Sequence, residues 1–179
     1  VTDHPQHRDS TEWGDPRSKT VTWYDPMVNA DSASTLNGLD FLIALRDGLL
    51  PPPPIARLMG FTLVQVERGL AVFECTPDES AYNPIGVVHG GLVCTLTDSA
   101  AGCAVQSTLE GGVAYTSIDI NVTYLRPVTK DSGLIRATGR VTKPGRKVAY
   151  ATIEVTDEAG KLLAQATSSC LVMDNRPPS

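Results

Sequence analysis

Apolar positions along the chain form one short helical pattern, two alternating runs, one long apolar stretch and then a further set of alternating runs. Between Leu36 and Leu50, Leu39, Leu42, Ile43 and Leu45 recur at helical spacing, and Gly48 supplies a stop, so a packing helix is predicted there. Pro51 to Pro54 then force an extended polyproline spacer. Phe61 to Glu67 and Leu70 to Thr76 read as strands joined at Arg68-Gly69, with Pro77 ending the second. From Gly90 to about Thr108 the chain is largely apolar, lacks proline and is too long for an ordinary strand, which predicts a helix. Residues 116 to 124 alternate cleanly: Thr116, Ile118, Ile120, Val122 and Tyr124 share the face expected against the core. Ser117, Asp119, Asn121 and Thr123 share the other. Three more strands are predicted at Leu134 to Thr142, Lys147 to Asp157 and Leu162 to Val172. The first pair is joined by Lys143-Pro144-Gly145-Arg146, a type II turn sequence, and the second by Glu158-Ala159-Gly160.

One long helix inserted among antiparallel strands is an α+β layer, a sheet curled round a helix. The expected division is an N-terminal arm, helix and spacer over 1–54, one domain over 55–173 and a short tail over 174–179. Residues 1–35 are polar and read as an irregular arm, pinned by Trp13, Trp23 and Tyr24. His4 and His7 within it read as exposed polar residues rather than a metal pair. With 41% hydrophobic and 20% charged residues the composition is that of an ordinary globular protein. A net charge of -5 argues against nucleic acid as the main partner. No run is apolar enough to span a membrane and the start carries no signal-peptide core, so a cytoplasmic protein is expected. Cys75, Cys94, Cys103 and Cys170 stand alone in apolar or strand-like runs, as buried thiols of a reducing compartment do. No metal site is expected.

The chemistry concentrates between Asn83 and Asp98. Asn83-Pro84 and Gly86 make a turn, His89-Gly90-Gly91 follows, and Asp98 is the only charged side chain between Glu79 and Glu110. A carboxylate in an apolar helix is expected to lie in the core, where it costs several kcal/mol unless partnered. The Gly-Gly opening presents unpaired N–H groups and the positive end of the helix dipole, the form an oxyanion hole takes. Asp98 lies eight residues after Gly90, roughly 12 Å along a helix at ~1.5 Å per residue. One helix therefore cannot bring both groups to one reacting carbon. Two antiparallel copies can, so the motif predicts an isologous homodimer, with pairing of two dimers into a homotetramer left open.

The pattern Asn-x-x-Gly-x-x-His-Gly-Gly, with an acid nine residues after the histidine, resembles the hotdog-fold acyl-CoA thioesterases of the PaaI-like, phenylacetate-pathway type. The run from Thr116 to Pro127 is similar to the strand that follows the helix in that family. The resemblance spans roughly Ile55 to Met173. It implies an antiparallel sheet wrapped round one long central helix and hydrolysis of an acyl-CoA thioester, with no metal or redox cofactor and coenzyme A entering as part of the substrate. It also implies that Gly90 polarises the carbonyl, that Asp98 of the partner subunit is base or nucleophile, and that Asn83 and His89 orient the carbonyl or the water. The water-holding position falls at Ser117. The stretch between Asp98 and Ser117 is one residue longer than in relatives using serine there, which leaves Thr116 as the alternative.

Each residue also has a plain structural reading: a cap for His89, tight packing for Gly90 and Gly91, a buried hydrogen bond for Asp98, a turn for Asn83, an ordinary strand position for Ser117. Seven basic residues between Arg126 and Lys147 face one acid, an excess suited to a ligand with several phosphates. Arg126, Arg146 and Lys147, at strand ends and turns, are the candidates for coenzyme A phosphates. A hotdog enoyl-CoA hydratase and a non-catalytic acyl-CoA-binding sensor are the alternatives. The 36–50 helix and its spacer are either packing elements or a cover over the acyl pocket.

Overall fold

A computed structural model of the chain describes residues 13–174. His4 and His7 and the tail beyond 174 lie outside the described residues. The elements are α1 (Met27–Thr35), α2 (Gly38–Arg46), α3 (Pro54–Met59), β1 (Phe61–Glu67), β2 (Leu70–Cys75), α4 (Gly90–Gln106), β3 (Val113–Tyr124), β4 (Ile135–Lys143), β5 (Val148–Asp157) and β6 (Leu162–Asp174). All six strands join one antiparallel sheet in the order β1-β2-β4-β5-β6-β3, wrapped round α4. This is the hotdog arrangement. Among the described residues no helix is long and apolar enough to cross a membrane.

The sheet can close on α4 because the facing residues are small. Ala100, Ala101 and Ala104 are fully buried, and a Cβ at Gly139 of β4 would stand 2.3 Å from the Ala100 carbonyl oxygen. Leu92, Val93, Leu96 and Val105 fill the remaining contact with Ile135, Ile153 and Val155. A side chain such as Leu96, fully withdrawn from water, contributes about 1.5–3 kcal/mol.

The opposite stripe of α4 is not covered by the sheet. Gly91 and Asp98 are exposed on it, with Cys94 and Thr95 half-buried between them. Asp98 is therefore not in the core, contrary to the expectation drawn from the apolar composition of the helix. The helix is apolar as a whole, but its uncovered side carries small and polar residues.

β3 departs from its even alternation. It pairs β6 with Ser117 opposite Cys170 and Asp119 opposite Ser169, leaving Ile118 as an extra residue in a bulge. An extra residue in a ladder moves the following side chains to the other face. Tyr115 and Ser117 therefore turn toward α4 before the bulge, and Tyr124 does so after it. Ile118 is 55% exposed and Thr116 is exposed, so the expected face of Thr116 and Ile118 against the core is overturned. β3 is also an edge strand, with one side of its backbone open.

The N-terminal segment is more helical than its composition suggests. Asp25 Oδ1 accepts from the Met27 N–H at 2.9 Å and opens α1, which buries none of its residues. Asn37 caps α2 by accepting from the Asp40 N–H, and Gly48, at φ +74°, ends it. Pro54 belongs to α3 rather than to the spacer, occupying the first turn where its missing N–H costs nothing. Trp13, Trp23 and Tyr24 are exposed and do not pin the arm. Ion pairs do so instead, Arg17 with Glu79 and Lys19 with Asp78, while Arg57 donates to the Thr22 carbonyl. The β4–β5 turn is not type II either, since Gly145 does not take a positive φ. Glycine is required there by proximity, a Cβ falling 2.0 Å from the Val148 carbonyl oxygen.

Candidate active site

The loop ahead of α4 is built on Asn83. Its Oδ1 accepts from the Ile85 and Val87 N–H groups at 3.0 and 3.2 Å, and its own N–H donates to the Val87 carbonyl. The amide nitrogen of the side chain has no partner among the described residues. His89 N–H donates to the Ala81 carbonyl and Val88 N–H to the Val128 carbonyl, which fixes where the helix begins.

His89 is the N-cap of α4. Its Nδ1 accepts from the Gly91 N–H at 2.8 Å, so a neutral imidazole carries its proton on Nε2. The Leu92 N–H is taken by the His89 carbonyl. Among the first three amides of the helix, that leaves only the Gly90 N–H without a partner among the described residues, at the positive end of the dipole. The Gly90 carbonyl accepts from the Tyr124 hydroxyl at 2.9 Å, and a Cβ on Gly90 would meet the Tyr124 ring at 3.0 Å. Tyr124 thus holds the helix tip against β3. The motif offered no sign of this role, because Tyr124 read only as the end of an apolar face.

Asp98 lies further along the same exposed stripe. The Ser117 hydroxyl donates to Asp98 Oδ1 at 2.8 Å. Thr116 points to the other side of the bulged strand, so the serine and not the threonine meets the carboxylate. Cys103 and Tyr115 line the same cavity as this pair. Burial, with Asp98 adding to it, pushes the Cys103 thiol up to about 12, and burial raises the Tyr115 hydroxyl as well, so both stay protonated. Cys75 and Cys170 are buried free thiols and Cys94 and Cys103 are half-buried ones.

The predicted machinery is divided among different cavities, with Gly90 bordering a third beside Tyr124 and Arg126. His89 and Gly91 border a space of about 690 Å³ together with Lys19, Tyr82 and Thr95. Asp98 and Ser117 border one of about 680 Å³ on the side of α2 and α3. One chain brings Asp98 and Ser117 together, and His89 and Gly90, but not the two pairs. The three phosphate candidates are also divided. Arg126 lies beside Gly90 and Tyr124 at the start of α4, donating to the Leu162 carbonyl. Arg146 lies beside Thr108 and Leu109 at the opposite end, next to Lys147, and all three cations are exposed. Arg136 pairs with Glu74 across β2 and β4. Among the described residues no three His, Cys, Asp or Glu side chains gather as a metal site.

Residues 85–164 match the model of the thioesterase superfamily, a span that holds His89, Gly90, Asp98, Ser117 and the three cations. Acyl-coenzyme A thioesterase 13 of Homo sapiens is 36% identical over 111 residues, 61% of this chain and 78% of that protein. The 1,4-dihydroxy-2-naphthoyl-CoA hydrolase of Listeria monocytogenes is 30% identical over 118 residues, 66% of this chain and 94% of that protein. The solved E. coli PaaI protein from the phenylacetic acid degradation operon superposes with a TM-score of 0.62, at 24% identity over 67% of this chain and 84% of that one, a likeness of fold.

Proposed function

The chain belongs to the thioesterase superfamily and is a thioester hydrolase, and from that premise we propose that it cleaves acyl-CoA esters to the free acid and coenzyme A. The observation that carries the site assignment is the Ser117–Asp98 hydrogen bond at the mouth of an apolar cavity. A carboxylate oriented by a neighbouring hydroxyl and open to solvent is equipped to take a proton from water or to attack carbon itself.

In the proposed cycle the thioester carbonyl oxygen receives the Gly90 N–H, and the helix dipole stabilises the charge that gathers on it. Asp98 of the partner subunit either deprotonates a water held near Ser117 or forms a mixed anhydride that water then opens. In both routes the carbonyl carbon gains an oxygen, the C–S bond breaks and the coenzyme A sulfur leaves with the electron pair and takes a proton. His89, fixed by the Gly91 N–H, and the free amide of Asn83 orient the carbonyl or the water. The scheme draws on side chains and backbone alone.

A homodimer is part of the proposal. Gly90 and Asp98 stand roughly 12 Å apart along one helix at ~1.5 Å per residue, and the uncovered stripe of α4 and the open edge of β3 are the surfaces the proposal assigns to a second copy. Antiparallel pairing with each Gly90 beside the partner's Asp98 carries the last turns of one α4 past the start of the other. It would thereby bring Arg126 of one chain to the same end of the pair as Arg146 and Lys147 of the other, where the phosphates of coenzyme A would lie.

The deciding experiment is turnover by Asp98→Asn. Hydrolysis should fall by at least about 10³-fold while acyl-CoA affinity changes little, the sign of a group acting in the transition state. Undiminished turnover would end the assignment.

A further inference from the structure

The cavity that opens at Asp98 and Ser117 does not close on the sheet. Phe61, Leu63 and Phe73 form its floor, and its far wall is the segment ahead of β1: Leu42 and Leu45 of α2, Leu50, Pro52 and Pro53 of the spacer, and Ile55 of α3. We propose that this N-terminal segment is the wall of the acyl pocket and selects an extended aliphatic acyl group over short or single-ring ones. The inference rests on the acyl-CoA hydrolase reading above.

Size is the first argument. A cavity of about 150 Å³ is enough for a benzene molecule, whereas this one holds about 680 Å³. A butyryl or phenylacetyl group would leave most of it to water against apolar walls. Chemistry is the second. The surfaces away from the Asp98 end are mostly aliphatic or aromatic, and the two arginines among them are exposed, Arg46 paired with Asp47 and Arg57 donating through Nε to the Thr22 carbonyl. Rigidity is the third. Leu42 is buried, the Gly38 N–H donates to the Leu109 carbonyl, and Gly38 lies so close to Gln106 that any side chain there would clash with its carbonyl. The wall is thereby fastened to the far end of α4, and a pocket of fixed shape discriminates by what fills it.

The test compares dodecanoyl-, butyryl- and phenylacetyl-CoA on the full chain. Each fully buried methylene is worth about fourfold in affinity, so kcat/KM for dodecanoyl-CoA should exceed both others by at least about tenfold. Ile55→Trp, which fills the far wall from an exposed position, should lower the dodecanoyl-to-butyryl ratio by at least about tenfold, and Leu50→Trp should act in the same direction. Equal rates on all three esters, a preference for butyryl or phenylacetyl, or a ratio unmoved by both tryptophans would overturn the proposal. Calorimetry on Asp98→Asn separates this failure from that of the hydrolase reading. If no ester is cleaved, dodecanoyl-CoA binding at least about tenfold tighter than butyryl-CoA, and weakened by Ile55→Trp, still supports the wall. Equal affinities refute it.

Discussion

Ser117 Oγ lies 2.8 Å from Asp98 Oδ1, and it reaches that carboxylate because Ile118 is bulged out of the β3–β6 ladder. In an unbroken strand the residues that reach α4 before and after position 118 would belong to opposite faces. The bulge lets Ser117 and Tyr124, an odd number of positions apart in the sequence, both face the helix. One irregularity thus brings a hydroxyl to the carboxylate and another hydroxyl to the helix tip.

This contact predicts a contrast between neighbours. A hydrogen bond to a charged group is worth about 1.5–3 kcal/mol, so Ser117→Ala should lower kcat roughly 10–100-fold with KM little changed. Thr116→Ala, on the outward face, should leave kcat within about twofold. Steady-state kinetics on both variants decides between the positions. A larger loss for Thr116→Ala would mean that the bulge is misplaced.

Much of this was legible in the residues, and the failures have physical causes. β1 matches its expected ends at Phe61 and Glu67, and α4 begins at the expected Gly90, because periodicity and glycine both mark those points. The bulge was hidden because its flanking residues alternate perfectly, and only pairing with β6 reveals the extra residue. The exposure of Asp98 was hidden because the small residues around it read alike whether a sheet covers them or leaves them bare. α1 gave no signal because it has no buried face, and α3 was masked by the prolines from which it starts. The motif from Asn83 to Asp98 was legible as a set of residues, but not the pairs into which the fold divides it.

Close approach of helix and sheet at Gly139 predicts a stability effect remote from the chemistry. A Cβ there would stand 2.3 Å from the Ala100 carbonyl oxygen and 2.6 Å from its carbon, both backbone atoms that no rotamer change can move. Gly139→Ala should destabilise by about 3 kcal/mol, the upper end for overpacking. Thermal unfolding should show this as a fall in Tm of roughly 6–12 °C. An unchanged Tm would mean that α4 does not seat so closely on β4.

The ion pair fastening the N-terminal arm predicts a loss on acidification. The Lys19 ammonium, aided by Ser80, holds the Asp78 carboxyl down to about 2, against an ordinary value of 3.8. A carboxyl lowered on folding contributes stability above its unfolded value and loses it as pH falls through the folded one. The tether should therefore be intact above about pH 4 and released progressively toward about pH 2. Because both side chains are solvent-exposed, the effect should be local and salt-sensitive. Trp23 fluorescence, four residues from Lys19, should report the release, and Lys19→Ala should abolish the transition in that window. A transition identical in Lys19→Ala would assign it to another group.

The separation of Gly90 from Asp98 gives the sharpest prediction about assembly. Gly90 is the first residue of α4, a position where proline is tolerated and its missing N–H would otherwise point at no protein partner. His89, at φ −63° and ψ 133°, already holds the extended conformation that a following proline demands. Gly90→Pro therefore removes one donor while leaving the helix able to form; its Cβ, 3.0 Å from the Tyr124 ring, also shifts that exposed side chain slightly, and alone the variant should cost about 10²–10³-fold in kcat. Asp98→Asn should be inactive by itself for a different reason. If each site takes Gly90 from one chain and Asp98 from the other, a mixed dimer holds one doubly damaged site and one intact site. Random exchange of the two inactive proteins should then restore about a quarter of wild-type activity, since half the dimers are mixed and half the sites in each work. Sites built within single chains would show no recovery at any mixing ratio, whatever the oligomeric state.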